Sequence, residues 1–454
     1  MGRADFIGKK ILVLGAGISG RAAAEVLARH EAKVTLNDRK EVDMDKKPWS
    51  ALRAAGVNLV FGSQENTLLD DTDIVVASPV IPREVPIMAE AIRRQIPLWS
   101  EVEVACRLTD ADILGVTGTN GKTTTTTLLG DIMEATGRHT VVGGNIGIGL
   151  SEQAADLPAS AVVVAELSSF QLENTSSLKA KAACILNITP DHLDRHHTME
   201  NYAAVKERVF QNQGQGDWAV LNYDDPLIRP MADRCGGGVL YFSTCGEVPV
   251  GAFYADGDLI LRMNGQDQLI CHEQELQLFG KHNIQNCLAA ALLAYAAGAP
   301  LTVIQHVLKT FRGVEHRIEP VRTIDGVKYF NDSKATNTDA AIKALEAFSG
   351  HLVLIAGGHD KMTPLEEFMG LAAKKVDTLI LIGEATERFE AAAKQAGIAD
   401  IRKAGFSMEA AVKLARDIAS PPQVVLLSPA CSSFDMFNNF EERGRIFKEY
   451  VNQL

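Results

Sequence analysis

Short apolar runs alternate with helix-length amphipathic segments along most of the chain, and this rhythm predicts βα units of parallel sheet in three successive regions. In the first, residues 10–14 read as a buried strand, residues 15–20 as a turn, and an Ala-rich helix runs to about Arg29. Strands follow at 33–37 and 74–78, and the region ends near Ser100. The second opens with a strand at 113–116 and continues with strands at 161–165, 183–187 and 218–222. Residues 239–278 switch to apolar/polar alternation around turns such as Asp256-Gly257, which predicts an antiparallel addition. Helical periodicity returns at 283–297 and 302–310. The third region carries strands at 328–331, 352–356, 378–382 and 424–428, separated by helix-length segments. The expected fold is α/β with three domains: residues 1–100, Rossmann-like; 101–312, a central P-loop ATPase-like domain; and 313–454, a doubly wound α/β domain.

Composition narrows the function classes. The 454 residues are 46% hydrophobic and 22% charged, which supplies sizeable cores. A net charge of −12 argues against general binding to nucleic acid or anionic membranes. No apolar run approaches membrane-spanning length, and the one after Lys9-Lys10 ends at Gly15 after four residues, too short for a signal-peptide core. The seven cysteines form no C-x-x-C pair, which fits a reducing cytoplasm, and Cys271 beside His272 lacks the neighbours a metal site needs. A cytoplasmic monomer, not inserted in a membrane, is expected.

The strongest local signal is Gly118-Thr119-Asn120-Gly121-Lys122-Thr123, between a strand and a helix. Such a turn wraps backbone N–H groups and a helix N-terminus around phosphate oxygens, with Lys122 reaching the outer phosphates and the Thr123 hydroxyl available to Mg²⁺. The strict G-x-x-x-x-G-K-[ST] pattern fails, because Val116 stands at its first glycine position. The loop nevertheless predicts an ATP or GTP site. Of the five consecutive threonines, 123–127, only the first one or two can face phosphates. A second turn, Gly15-x-Gly17-x-x-Gly20, with Asp38 at the next strand's end, matches a dinucleotide fingerprint but serves any pyrophosphate. Glu166, closing an apolar strand, is placed like a Mg²⁺ ligand. After another strand, Asp191, His192, Asp194 and His196 crowd one turn. Lys206, by spacing alone, is an ordinary surface lysine. In the third region Glu315-His316-Arg317, residues 331–337 and residues 428–435 give three polar loops, the equipment of a partner site for the ATP loop.

These motifs occur in one order: the phosphate loop, Asp191-His192-Leu193-Asp194, Gly280-x-His282-Asn283-x-x-Asn286, His316-Arg317, residues 331–337 and residues 427–433. In that order the chain resembles the Mur ligases over all three regions, and most of all the members that join D-glutamate to UDP-N-acetylmuramoyl-L-alanine. The resemblance implies ATP-dependent peptide-bond formation in cytoplasmic peptidoglycan synthesis, through an acyl phosphate and with two Mg²⁺ ions. It implies that Gly118, Thr119, Asn120, Gly121, Lys122, Thr123 and Thr124 cradle the phosphates. Thr123 and Glu166 would bind one Mg²⁺, and His192 with a carbamylated Lys206 the second. Asn283, Asn286, Arg317 and Asp332 would contact the nucleotide. The first loop is thereby reassigned from NAD to UDP, held by Ile18, Ser19, Asp38, Arg39 and Ser78, with Asn145 at the muramoyl portion. Lys334, Thr336, Lys361, Ser433 and Phe440 would surround D-glutamate, and Lys122, His192, Lys206 and Lys334 carry the catalytic expectation. The alternatives are another Mur-type or folylpolyglutamate-type ligase, a nicotinamide oxidoreductase that would leave the second loop unexplained, and a GTPase, for which no Asn-Lys-x-Asp motif exists.

Overall fold

In the computed structural model, described for residues 6–44, 47–147, 149–278 and 280–454, the chain forms two compact units, residues 1–311 and 312–454. Unit 1 holds two sheets. The first comprises β1 (Lys10–Leu14), β2 (Lys33–Asp38), β3 (Asn58–Phe61), β4 (Ile74–Ala77) and β5 (Leu98–Trp99), all parallel, in the order β3-β2-β1-β4-β5. Chain direction across the sheet reverses between β1 and β4, and the crevice there receives the Gly15 loop and Ser78. The helix Ile18–Arg29 can pack close against β1 because residue 20 is glycine: a Cβ there would lie 1.8 Å from the Gly15 carbonyl oxygen.

The second sheet comprises β6 (Asp112–Thr117), β7 (Thr140–Gly144), β8 (Val162–Glu166), β9 (Ala182–Ile185), β10 (Trp218–Asn222), β11 (Gly238–Ser243), β12 (Gly251–Ala255), β13 (Asp258–Met263) and β14 (Gln266–His272). Its order is β14-β13-β12-β11-β10-β9-β6-β8-β7. The expectation that residues 239–278 add on antiparallel needs correction. β11 runs parallel to both β10 and β12, and only the β12–β13 and β13–β14 pairs are antiparallel. β11 carries the apolar run Val239–Phe242 and extends the parallel sheet, whereas the alternation that suggested hairpins belongs to the half-exposed strands after it. Because β6 lies between β8 and β9, the ends of three strands deliver Thr117, Glu166 and the segment from Leu186 to one sheet edge. Apolar side chains of β6, β8, β9 and the helices Lys122–Ala135 and Lys281–Ala296 form the core behind that edge.

Unit 2 comprises β15 (Glu319–Ile324), β16 (Val327–Asn331), β17 (Leu352–Gly357), β18 (Val376–Ile382), β19 (Ile401–Gly405) and β20 (Val424–Leu427), ordered β15-β16-β20-β17-β18-β19. All pairs are parallel except the β15–β16 hairpin at one edge. Helices cover both faces of this sheet, giving two separate cores. Among the described residues, no helix is long and apolar enough to cross a membrane.

Candidate active site

The phosphate loop follows β6 and turns on two glycines. Gly118 has φ 147° and Gly121 φ 83°, conformations that an L side chain rarely adopts. A Cβ on Gly118 would meet Leu186 Cβ at 2.9 Å, and one on Gly121 would meet Asn286 Oδ1 at 2.3 Å. The loop is clamped from the β9 side, where Asn187 accepts from Asn120 N at 2.8 Å and donates to Asn120 O at 3.1 Å. Thr119 Oγ1 accepts from Thr189 N at 3.1 Å, fixing the loop to the segment that leads to His192. Asn286 Nδ2 donates to Asn283 Oδ1, and Thr125 Oγ1 donates to Asn286 Oδ1, so the amides of the helix Lys281–Ala296 stand directly under Gly121.

Two lysines converge on one carbonyl of this loop. Lys122 Nζ donates to Gly118 O at 2.9 Å and to Thr119 O at 2.8 Å. Lys206 Nζ donates to Gly118 O at 2.8 Å and lies 4.4 Å from the centre of the Tyr202 ring. The surface position that spacing predicts for Lys206 is wrong: the residue is 1% exposed. The helix Met199–Glu207 buries the face bearing Tyr202, Ala203 and Lys206 against the loop, and periodicity alone cannot recognise a lysine on a buried face as functional. Burial, reinforced by repulsion from Lys122, lowers the Lys206 ammonium to about 7.

Beside the loop, Glu166 Oε1 accepts from Asn145 Nδ2 at 2.9 Å, whereas Glu166 Oε2 is buried without a hydrogen-bond partner among the described residues. Thr117 Oγ1, on the adjacent strand, is likewise buried and unpartnered. Orphaned buried oxygens are costly, and oxygen donors of this hardness suit Mg²⁺. His192 stands at the β9 edge with φ 52°, half-exposed, its Nε2 3.5 Å from Asp191 Oδ2 and its ring 4.7 Å from that of Phe170. His196 is separated from it: the ring is buried, pairs with Ser169 Oγ at 2.9 Å, and has its pKa lowered by burial. Among the described residues, no cluster of His, Cys, Asp and Glu forms a metal site on its own, so a cation here would depend on hydroxyl, phosphate or modified-lysine oxygens.

At the first sheet, Asp38 binds protein backbone. Its Oδ2 accepts from Ala16 N at 2.8 Å and its Oδ1 from Lys40 N at 3.0 Å, which sets the glycine loop against the end of β2. Ser78 packs under Gly15, where a Cβ would lie 2.8 Å from its own Cβ. Ile18 and Arg39 are exposed at this edge, and Ser19 is half-buried. Arg39 also lines a cavity of about 360 Å³ with Ser63, Gln64, Pro86 and Ile87.

Unit 2 gathers its polar groups at the ends of β16 and β20. Asp332 is buried; it accepts from Ser428 Oγ at 2.7 Å and Ile318 N at 3.2 Å, and burial pushes its carboxyl up to about 7. His316 is buried with φ 64°, and its Nδ1 accepts from Asn331 Nδ2 at 2.9 Å. Lys361 Nζ donates to Thr336 O at 3.1 Å, so these two candidates do meet. Ser433 is buried, Lys334 half-buried and Arg317 exposed. The ring of Phe440 stands edge-on to His316 at 6.1 Å.

Sequence reasoning missed Arg443. It is 1% exposed and donates to Ser333 Oγ, Ser333 O, Cys431 O and Ser432 O, tying the loops after β16 and β20 together. The signal was available: 443, 447 and 451 form one stripe of the helix Phe440–Gln453, and Arg443 is the charged member of that buried stripe.

Family models match the chain in three successive stretches between residues 9 and 431. Residues 9–100 match the Mur ligase MurD-like N-terminal domain, residues 116–294 the Mur ligase middle domain, and residues 316–431 the Mur ligase glutamate ligase domain. The UDP-N-acetylmuramoylalanine–D-glutamate ligase of Thermoanaerobacter pseudethanolicus is 45% identical over 449 residues, 98% of this chain and 99% of that one. Its counterpart in Pelotomaculum thermopropionicum is also 45% identical, over 99% of both chains. Among solved structures, the UDP-N-acetylmuramate-alanine ligase of Thermotoga maritima shares the fold, with a TM-score of 0.56 at 19% identity over 98% of this chain and 99% of that one. A phosphate loop with buried orphan oxygens beside it, matched domain by domain and by full-length relatives, leaves one assignment: the chain belongs to the Mur ligase family.

Proposed function

We propose that this chain is an ADP-forming ligase that joins D-glutamate to the alanyl carboxylate of UDP-N-acetylmuramoyl-L-alanine, the reaction for which its full-length relatives are named. The observation that carries the reading is the convergence on the Gly118 loop of Lys122, Lys206 and the unpartnered oxygens of Glu166 and Thr117. A carboxylate is a poor electrophile. Its oxygen attacks the γ-phosphorus, ADP departs, and the acyl phosphate can then be attacked at carbon by the amine, with loss of inorganic phosphate and the amine proton.

Residues 1–100 would bind UDP through Ile18, Ser19, Asp38, Arg39 and Ser78, residues 101–312 the ATP, and residues 313–454 the amino acid. Residues 118–124 would hold the phosphates, with the Lys122 ammonium exchanging its carbonyl partners for phosphate oxygens as charge develops there. Asn283, Asn286, Arg317 and Asp332 would contact the nucleotide, and Asn145 the muramoyl portion. Lys334, Thr336, Lys361, Ser433 and Phe440 would recognise a small dicarboxylate. Two Mg²⁺ ions, one held by Thr123 and Glu166 and the other by His192 and Lys206, would supply neutralising charge to the phosphates.

Lys206 fits that role only as an anion. An amine lowered to about 7 is neutral in a substantial fraction near that pH, so its nitrogen can add to CO₂, lose a proton and become a carbamate with two hard oxygens. The enzyme is proposed to work as a cytoplasmic monomer. The test is phosphate release from ATP in the presence of UDP-N-acetylmuramoyl-L-alanine and a panel of amino acids. Release with D-glutamate is expected; preference for L-alanine, L-lysine or diaminopimelate would overturn the assignment.

A further inference from the structure

The two glycine loops of unit 1 belong to different sheets, yet one nearly buried side chain reaches the scaffold of both. Arg195 lies three residues after His192, in the single-turn helix Leu193–His196, and its N–H donates to the His192 carbonyl at 3.1 Å. Its guanidinium is used on three sides. Nη1 donates to Pro79 O at 2.7 Å, across 116 residues of sequence, and Pro79 directly follows the Ser78 that packs under Gly15. Nη2 donates to Glu173 Oε2 at 2.6 Å and Nε to Glu173 Oε1 at 3.4 Å. One face of the guanidinium lies 4.3 Å from the centre of the Phe170 ring, and the same ring meets His192 at 4.7 Å, tilted by 49°. Both members of the ion pair are nearly buried, with side chains 13% and 12% exposed.

Glu173 is held from the first-sheet side as well. Arg83 Nη2 donates to Glu173 O at 3.1 Å and to Asn174 Oδ1 at 2.6 Å, and Ser100 N donates to Asn174 O at 2.8 Å. The segment 170–175 is therefore a bracket. One side of it is fixed to the first sheet by Arg83 and Ser100, and the other carries the His192 turn through Arg195 and Phe170. An arginine–carboxylate pair away from water has few good geometries, so the guanidinium is a stiff link between Pro79 and the Leu193–His196 turn.

We propose that Arg195 is a positioning residue that couples occupancy of the first glycine loop to the placement of His192, so that the UDP-sugar and Mg²⁺–nucleotide bind unit 1 with positive cooperativity. This rests on the ligand assignments proposed above. Since coupling is a free energy shared by two sites, it is measured as a ratio of affinities and must be reciprocal.

The experiment is calorimetry on the full chain without D-glutamate, so that no turnover occurs. The dissociation constant of UDP-N-acetylmuramoyl-L-alanine is measured with and without Mg²⁺ and a non-hydrolysable ATP analogue, and the converse titration follows. Wild type is expected to bind each ligand at least about fivefold more tightly in the presence of the other, by the same factor. In Arg195→Ala and in Arg195→Lys, which keeps charge but loses the planar fork, the factor should fall to one while each ligand alone binds within about threefold of wild type. Glu173→Gln is the second variant should the first fail to fold; it keeps the volume and should also abolish most of the coupling. A factor unchanged in either folded variant overturns the proposal. So does a wild type that binds both ligands independently, whereas a wild type with no affinity for the UDP-sugar overturns the ligand assignment itself.

Discussion

The two glycine loops of unit 1 begin alike and end in different chemistry. Each follows an early strand of a parallel sheet, each opens a helix, and each contains a glycine whose missing Cβ admits another backbone or amide oxygen, Gly15 O at Gly20 and Asn286 Oδ1 at Gly121. Around the first loop the charges are satisfied by the protein: Asp38 is bound by two backbone N–H groups, and Arg21 donates to Ala16 O. Around the second, the half-buried Lys122 and the buried Lys206 face one carbonyl, beside two oxygens that have no partner among the described residues. A phosphate-binding turn thus needs only backbone and space; a phosphoryl-transfer site needs unspent charge in a dry place.

The largest test of that difference is Lys122→Ala. Its charge is matched to phosphates in the transition state, so kcat is expected to fall about 10³-fold or more, with UDP-sugar affinity and the unfolding midpoint nearly unchanged. Near-normal turnover would place the second loop in the same binding-only class as the first.

Lys206→Ala should be next, with activity reduced about 10²-fold and the loss deepest at low Mg²⁺. The pH sign is fixed by the lowered amine. The folded protein releases this proton near pH 7 while the unfolded chain keeps it to about pH 10.4, so stability contributed through Lys206 rises with pH across that window. Carbamate formation needs the neutral amine and should fail as pH drops below about 7. Carbon NMR after ¹³C-bicarbonate labelling should show a carbamate signal that Lys206→Ala lacks. Absence of the signal together with full activity of the variant would return Lys206 to a structural role.

For the first loop, Gly20→Ala should weaken UDP-sugar binding about tenfold, because the methyl cannot share space with Gly15 O. Affinity for the nucleotide alone should not change, and neither NAD(H) nor NADP(H) should bind either protein. Micromolar nicotinamide-cofactor binding would mean that the fingerprint, and not the second loop, names the ligand.

What could be read in advance divides along physical lines. Strands buried on both faces, such as Val162–Glu166 and Leu352–Gly357, announce themselves as apolar runs, and the glycine turns carry their own steric signature. The edge strands Asn58–Phe61 and Glu319–Ile324 do not, since half-buried strands need few apolar residues. Strand direction was legible only where a helix-length segment separates neighbours, which is why the parallel β11 was mistaken for part of a hairpin set. Of the residues proposed for the site, Lys122, Thr123 and Glu166 follow from local pattern. Lys206 and Arg443 stand out only by being buried, and burial of a charged residue depends on what packs over it.

The smallest expected effect concerns Glu101, which stands where the supports of the two loops touch. Its Oε1 accepts from Ser151 N, its Oε2 is buried without a partner among the described residues, and burial pushes the carboxyl up to about 7. Close by, a Cβ on Gly149 would lie 2.4 Å from Ala22 Cβ, on the helix that the first loop opens, so no spare room exists in which the carboxylate could rehydrate. An acid raised on folding binds its proton more tightly in the native state. It therefore costs stability as pH climbs from the unfolded value near 4.5 to about 7, and the cost is constant above that. Glu101→Gln keeps the acceptor for Ser151 N and cannot ionise. The variant should match wild type near pH 4.5 and exceed it by about 1–3 kcal/mol at pH 8, with a flatter dependence of denaturant midpoint on pH between them. Equal slopes in the two proteins would show that Glu101 finds solvent or a cation in solution, and that the supports of the loops are looser than their packing implies.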